Sequence, residues 1–285
     1  MMTLTRLALL TLTLCLPVSA SETIIKLGTY GEHTQAINNL FLNTQQCHEQ
    51  SLIKQANIHL MEVVLLCKAL KIGGLNVTFK TVPMPNQERA VRAMSKGEIT
   101  MFANSVWSYL KTDQILISRA IMPYGSYEKG IYMAASHPAL KRVHSDLSIK
   151  ELFAVVGTSW QVDRKVLDCF NIQYETVSSY PQMLRMTQTK RVDFILHNFT
   201  SYAHLGLEEF ETHLVPINGL KFSMPDSLHY FVSAKHPDGA NVYAALQHGL
   251  NSLNAQGDIV RAYTSIGMYN PKVRHWESLS CPVPL

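Results

Sequence analysis

Ala93-Met94-Ser95-Lys96-Gly97-Glu98-Ile99-Thr100-Met101-Phe102-Ala103 reads as a helix end, a turn and a strand. Gly97 stops the helix, and the apolar residues after it suit a buried strand. The same order returns at Met186-Thr187-Gln188-Thr189-Lys190-Arg191-Val192-Asp193-Phe194-Ile195-Leu196, with similar chemistry at each step. Two α/β lobes of similar build account for this echo. Coincidence accounts for it too, because helix–turn–strand is common in α/β chains.

Outward from these stretches, strands are expected at 23–29, 76–82, 130–135, 154–157 and 174–177. Helices are expected at 59–70, 87–96, from 159 or 160 onward, and at 181–190, 241–253 and 259–266, with a short one at 148–153. A polar stretch around 43–46 separates the first strand from the first helix. Strands alternating with helices imply βαβ units and largely parallel sheets.

Composition narrows the class. The chain has 285 residues, 47% hydrophobic and 16% charged, which excludes a disordered polymer, a coiled coil and a collagen-like repeat. A net charge of +4 is far from the dense basic patch of a nucleic-acid binder.

Residues 1–20 read as a secretory signal peptide. Arg6 precedes an apolar run at 7–16, Pro17 breaks it, and Val18-Ser19-Ala20 has the small-x-small form of a cleavage site. The run is shorter than the roughly 20 residues a bilayer-spanning helix needs. An exported chain beginning at Ser21 follows. Cys47, Cys67, Cys169 and Cys281 then lie in a disulfide-permissive compartment and can pair in three ways. Cys47 with Cys67 and Cys169 with Cys281 is one such arrangement. A buried free thiol at Cys67 is the alternative.

The ordered set of motifs resembles the periplasmic solute-binding proteins of the amino-acid type, family 3. Val82-Pro83, the helix and turn from Arg89 to Gly97, and the strand after Glu98 match the first part of that pattern. Ser108-Tyr109-Leu110-Lys111, Leu116-Ile117-Ser118 and Pro123-Tyr124 match its middle. Val155-Val156-Gly157-Thr158-Ser159, Arg191-Val192-Asp193 and the closing run 250–257 match the rest. The resemblance implies an α/β chain with a two-lobed, type II periplasmic-binding-protein-like fold and a ligand cleft between the lobes. Lobe 1 would be 21–124 plus 225–285, and lobe 2 would be 125–224. The chain would cross near Pro123-Tyr124-Gly125 and near Met224-Pro225-Asp226. It also implies a monomer with a small-molecule ligand, no cofactor, and a membrane permease or a sensor kinase as partner.

Two positions depart from the family. Its lobe-1 arginine, which grips an α-carboxylate, falls on Lys111, and its lobe-2 aspartate, which holds an α-ammonium, falls on Asn198. A point charge replaces a bidentate fork, and a neutral amide replaces a carboxylate. A standard α-amino acid held in the usual way is therefore not the expected ligand.

Further cleft candidates come from strand ends, where open α/β sheets bind ligands. These are Tyr30, Asn86, Asn104, Ser105 and Trp107 in the first lobe, and Thr158, Ser159 and Trp160 in the second. Trp107 suits stacking on a ring or cation, or a place in the core. Backbone N–H groups at Thr158 and Ser159 suit an anion, though an ordinary helix N-cap is the commoner use of such residues. Lys111 equally suits a solvated surface.

No GxxxxGK loop or GxSxG elbow occurs. His197, His204 and His213 are spaced by seven and nine, unlike standard metal ligands, so no metal is expected. An enzyme on the same scaffold, resembling a cyclohexadienyl dehydratase, needs a cleft acid. Glu32, Glu62 and Asp113 are the candidates, and none sits in a recognisable pair. A binding protein is the expected function, and a lobe pair sensing by protein contact is a third reading.

Overall fold

The computed structural model of the chain describes residues 22–43, 57–142 and 149–282. The expected signal peptide and Cys47 lie outside the described residues. Among the described residues no helix is long and apolar enough to cross a membrane.

Two lobes are built on two sheets. The first sheet runs Val77–Met84, Thr23–Tyr30, Met101–Phe102, Phe231–Ser233, Ile115–Ile117. Thr23–Tyr30 is parallel to both its neighbours, and Phe231–Ser233 is antiparallel to both of its own. The second sheet runs Leu207–Glu209, Thr212–Ser223, Glu128–Ala134, Phe194–Asn198, Phe153–Gly157, Gln173–Val177. Its last three strands are mutually parallel, but Glu128–Ala134 is antiparallel to both of its neighbours, so the sheets are mixed rather than largely parallel. Thr212–Ser223 has no counterpart among the expected strands. Pro216 and Gly219 interrupt its pattern, and its register shifts between Pro216 and Lys221.

The helix Ile58–Ile72 begins at Asn57, whose side chain accepts from the His59 and Leu60 N–H groups. Its run from Met61 to Leu70 is almost wholly buried, and each such aliphatic side chain contributes roughly 1.5–3 kcal/mol. It packs onto the helix Gly239–Ala255 at very close range. A Cβ at Gly249 would stand 1.8 Å from the Ala69 carbonyl oxygen, and one at Gly73 would stand 2.1 Å from that of Ala245. Only glycine fits at either contact.

The sequence echo is structural in detail. The helix Gln87–Ser95 ends with Gly97 N–H on Met94 O and Glu98 N–H on Ala93 O, at 2.9 and 3.0 Å. The helix Tyr180–Gln188 ends with Lys190 N–H on Thr187 O and Arg191 N–H on Met186 O, both at 3.0 Å. Both are Schellman closures. Gly97 has φ +76° and Lys190 φ +59°. Three residues beyond each turn residue, a polar side chain locks onto the neighbouring parallel strand. Thr100 Oγ1 accepts from Lys26 N–H at 3.1 Å, and Asp193 Oδ2 accepts from Phe153 N–H at 2.6 Å.

Two chain segments join the sheets, and they lie side by side. Ile121 N–H donates to Leu228 O at 2.9 Å, Leu228 N–H to Met122 O at 3.0 Å, and Met224 N–H to Tyr127 O at 2.8 Å. The tail departs from the expected division, which places 225–285 with the first lobe. Glu277–Leu279 instead pairs with Leu220–Phe222 of the second sheet, and Cys281 is bonded to Cys169 across a Cα–Cα distance of 6.0 Å. Lys221 reinforces this seam: its Nζ reaches Glu128 and the Val273 carbonyl, at 2.7 and 2.9 Å.

Candidate functional site

At the end of Met101–Phe102, Asn104 and Ser105 turn inward rather than toward solvent. They meet the carboxylate of Glu62, which is 2% exposed. Asn104 Nδ2 and the Ser105 N–H donate to Glu62 Oε2 at 3.1 and 3.0 Å, while Ser105 Oγ and the Tyr263 hydroxyl donate to Oε1 at 2.6 Å each. Tyr230 adds a bond to the Glu62 carbonyl at 2.6 Å. This knot ties two helices to two links between strands and leaves the carboxylate no spare lone pair for acid–base work. The other acid candidates, Glu32 and Asp113, are exposed.

Tyr30 closes its strand with its ring edge-on to Phe102 and His59, at centroid distances of 5.1 and 5.0 Å. His33 stacks on His59 at 4.2 Å. Burial is the main cause that pushes His59 down to about 4, with the neighbouring His33 adding to it. Asn86 is the N-cap of Gln87–Ser95, accepting from Arg89 N–H at 2.9 Å. Lys111 is exposed at the end of the 3-10 turn Ser108–Leu110, which Asp226 caps from the crossing segment.

The second lobe gathers a denser set at the carboxyl ends of its parallel strands. Lys129 is paired in register with Asn198. Its Nζ lies 2.7 Å from Asp163 Oδ1, and both side chains are buried. The same ammonium is 4.8 Å from the Trp160 ring centroid and 5.7 Å from that of Tyr127. The Tyr127 hydroxyl donates to Asn198 Oδ1. Next to Asn198, His197 Nε2 meets the Tyr180 hydroxyl at 2.8 Å, and Tyr180 donates to Glu209 at 2.9 Å. Burial holds His197 down to about 4, against its bond to the Asn198 carbonyl, which pulls the other way. Burial also raises the Tyr127 and Tyr180 hydroxyls, so both stay protonated donors.

Thr158 and Ser159 are exposed. The N–H groups of Thr158 and Trp160 donate to Val177 and Gly157, at 3.1 and 2.9 Å, so those two are not free for an anion. Trp107, on the short strand Val106–Trp107, stacks across the lobe boundary on Tyr127, at 5.4 Å and 20°. Lys165 Nζ of the second lobe lies 5.2 Å from the Tyr109 ring. Trp107, Trp160 and Asn198 therefore come together, whereas Tyr30 and Asn86 serve local roles in the first lobe. Sequence reasoning missed Tyr127, Lys129 and Asp163. A trace of them was present: Tyr127-x-Lys129 alternates as a strand face, and Trp160-x-x-Asp163 has helical spacing. Among the described residues, no group of three His, Cys, Asp or Glu side chains is placed to hold a metal ion.

With this geometry in hand, the chain can be compared with known proteins. No protein-family profile matches it, and no curated protein sequence matches it. Solved structures do. The probable amino-acid ABC transporter extracellular-binding protein ytmK from Bacillus subtilis has a TM-score of 0.58 at 10% identity, covering 87% of this chain and 100% of that one. The GluR0 ligand-binding core, solved with L-glutamate, has a TM-score of 0.54 at 9% identity, covering 86% and 98%. The periplasmic VFT2 domain of BvgS from Bordetella pertussis has a TM-score of 0.52 at 12% identity, covering 84% and 92%. The fold is that of the two-lobed type II periplasmic binding proteins, the one that family 3 solute-binding proteins adopt.

Proposed function

We propose that this chain is an exported solute-binding protein, working in the periplasm as a monomer. It takes a small polar or anionic solute between its lobes and presents it to a membrane permease or a sensor kinase. The observation that carries this reading is the set Tyr127, Lys129, Trp160 and Asn198, gathered beside the double crossing and faced by Trp107 from the other lobe, with Lys165 on Tyr109 as a second contact across the boundary. Apolar rings with a few convergent polar groups suit a small ligand. Lobe closure about segments 118–127 and 223–230 supplies the conformational change, set by the solute's preference for the closed form. Lys111 and Asn198 line the route of the solute. The engagement of Glu62 in four hydrogen bonds supports binding over dehydratase-type catalysis.

The test is a thermal-shift panel of metabolites, with mass analysis of small molecules that co-purify. A saturable shift with a few panel members and no turnover is expected. A flat panel with nothing co-purifying overturns the reading, and turnover of a panel member replaces it with an enzyme.

A further inference from the structure

A primary ammonium is recognised by a carboxylate at hydrogen-bond distance and by aromatic faces that take the rest of its charge. All of these are present around Lys129 Nζ. Asp163 Oδ1 stands at 2.7 Å and is the atom's one hydrogen-bond partner among the described residues. The Trp160 and Tyr127 rings lie at 4.8 and 5.7 Å. Lys129 and Asp163 are 7% and 3% exposed, so the charge is almost wholly handed from water to this box. The box borders the lobe boundary, because Tyr127 stacks on Trp107 and bonds Asn198.

We propose that Lys129 is the built-in occupant of an ammonium-binding box in the cleft, and that it makes the cleft select solutes lacking an amine. A tethered group competes at an effective concentration on the order of millimolar or more. A free amine must displace it, and displacement leaves a second cation close by. An acid or a neutral polar solute meets no such competitor. This inference deepens the solute-binding reading and rests on it for the wild-type ligand.

The experiment vacates the box. Lys129→Ala is titrated with n-butylammonium, with 1-butanol as the neutral counterpart, following thermal shift and the fluorescence of the adjacent Trp160. Saturable binding of butylammonium at least tenfold tighter than to wild type is expected, with no response to butanol and loss of the response in Lys129→Ala with Asp163→Asn. Equal butylammonium affinity in variant and wild type overturns the proposal. If the variant does not fold alone, it is refolded with butylammonium or butanol. Recovery in butylammonium only supports the proposal, and recovery in neither overturns it. A wild-type protein that binds nothing in the solute panel overturns the transport or sensing role separately, because the butylammonium result does not depend on that panel.

Discussion

The two helix–turn–strand units share a backbone and differ in what they do with the residues that follow. Asn104-Ser105 in the first unit corresponds in position to His197-Asn198 in the second. In the first lobe these polar groups are consumed by a buried carboxylate, and the knot stabilises the fold. In the second they meet tyrosine hydroxyls, beside a lysine held by an aspartate and two rings. Equivalent positions after equivalent strands thus carry a structural lock in one lobe and candidate binding chemistry in the other. A repeated backbone unit fixes where a side chain stands, and distant residues such as Glu62 or Lys129 decide its use.

The comparison breaks most readily at Glu62. Glu62→Ala strands the Asn104, Ser105 and Tyr263 donors in a buried site, at a cost of about 3–5 kcal/mol in urea unfolding. A loss below about 1 kcal/mol would remove the knot from the stability argument. Asp163→Ala leaves Lys129 buried and unpaired, for a loss of about 3 kcal/mol, whereas Lys129→Met with Asp163→Leu recovers most of it. Failure of the double variant to recover would mean that the pair does more than neutralise itself.

Acidity probes the second-lobe cluster next. His197 sits at about 4 in the fold, below its ordinary value near 6.5. Between those values the unfolded chain binds the proton more readily. The stabilising contribution is therefore whole above about pH 6.5 and is lost as pH falls toward 4. About 1–2 kcal/mol less stability at pH 5 than at pH 7 is expected from this residue, and His197→Gln should flatten the difference in paired denaturant titrations. His59 titrates in the same direction on the first-lobe side.

The smallest effect compares the two turns. Lys190 holds a left-handed φ of +59° that glycine supplies freely at Gly97. Lys190→Gly should stabilise by about 0.5–1 kcal/mol, and Gly97→Lys should destabilise by about 1–2 kcal/mol. No gain from Lys190→Gly, or no loss from Gly97→Lys, would dissolve the equivalence of the turns.

Much of this architecture was legible in the sequence because it rests on local signals. Gly73 and Gly97 end helices whose apolar runs are unambiguous, and the paired 93–103 and 186–196 stretches carry an echo of two units, whereas Asn86, read as a cleft residue, is a helix cap. The strand Thr212–Ser223 was not legible, since proline and glycine mask a bulged strand. The helix Thr34–Asn43 escaped notice because TQAINNLFLN mixes asparagine with its apolar residues. Asn104 and Ser105 were correctly set after a strand, yet Glu62, 42 and 43 residues away, determines where they point. Lys129 and Asp163, 34 residues apart, lack any local pattern that marks a pair.

The bond between Cys169 and Cys281 spans 112 residues. That loop leaves the second lobe, passes through the last strand and the closing helices of the first, and returns. Roughly 380 Å of extensible chain is thereby shielded from a force applied at the two ends. Pulled while oxidised, the protein should release only the chain outside this loop, and the loop's own length should appear only after the thiols are reduced.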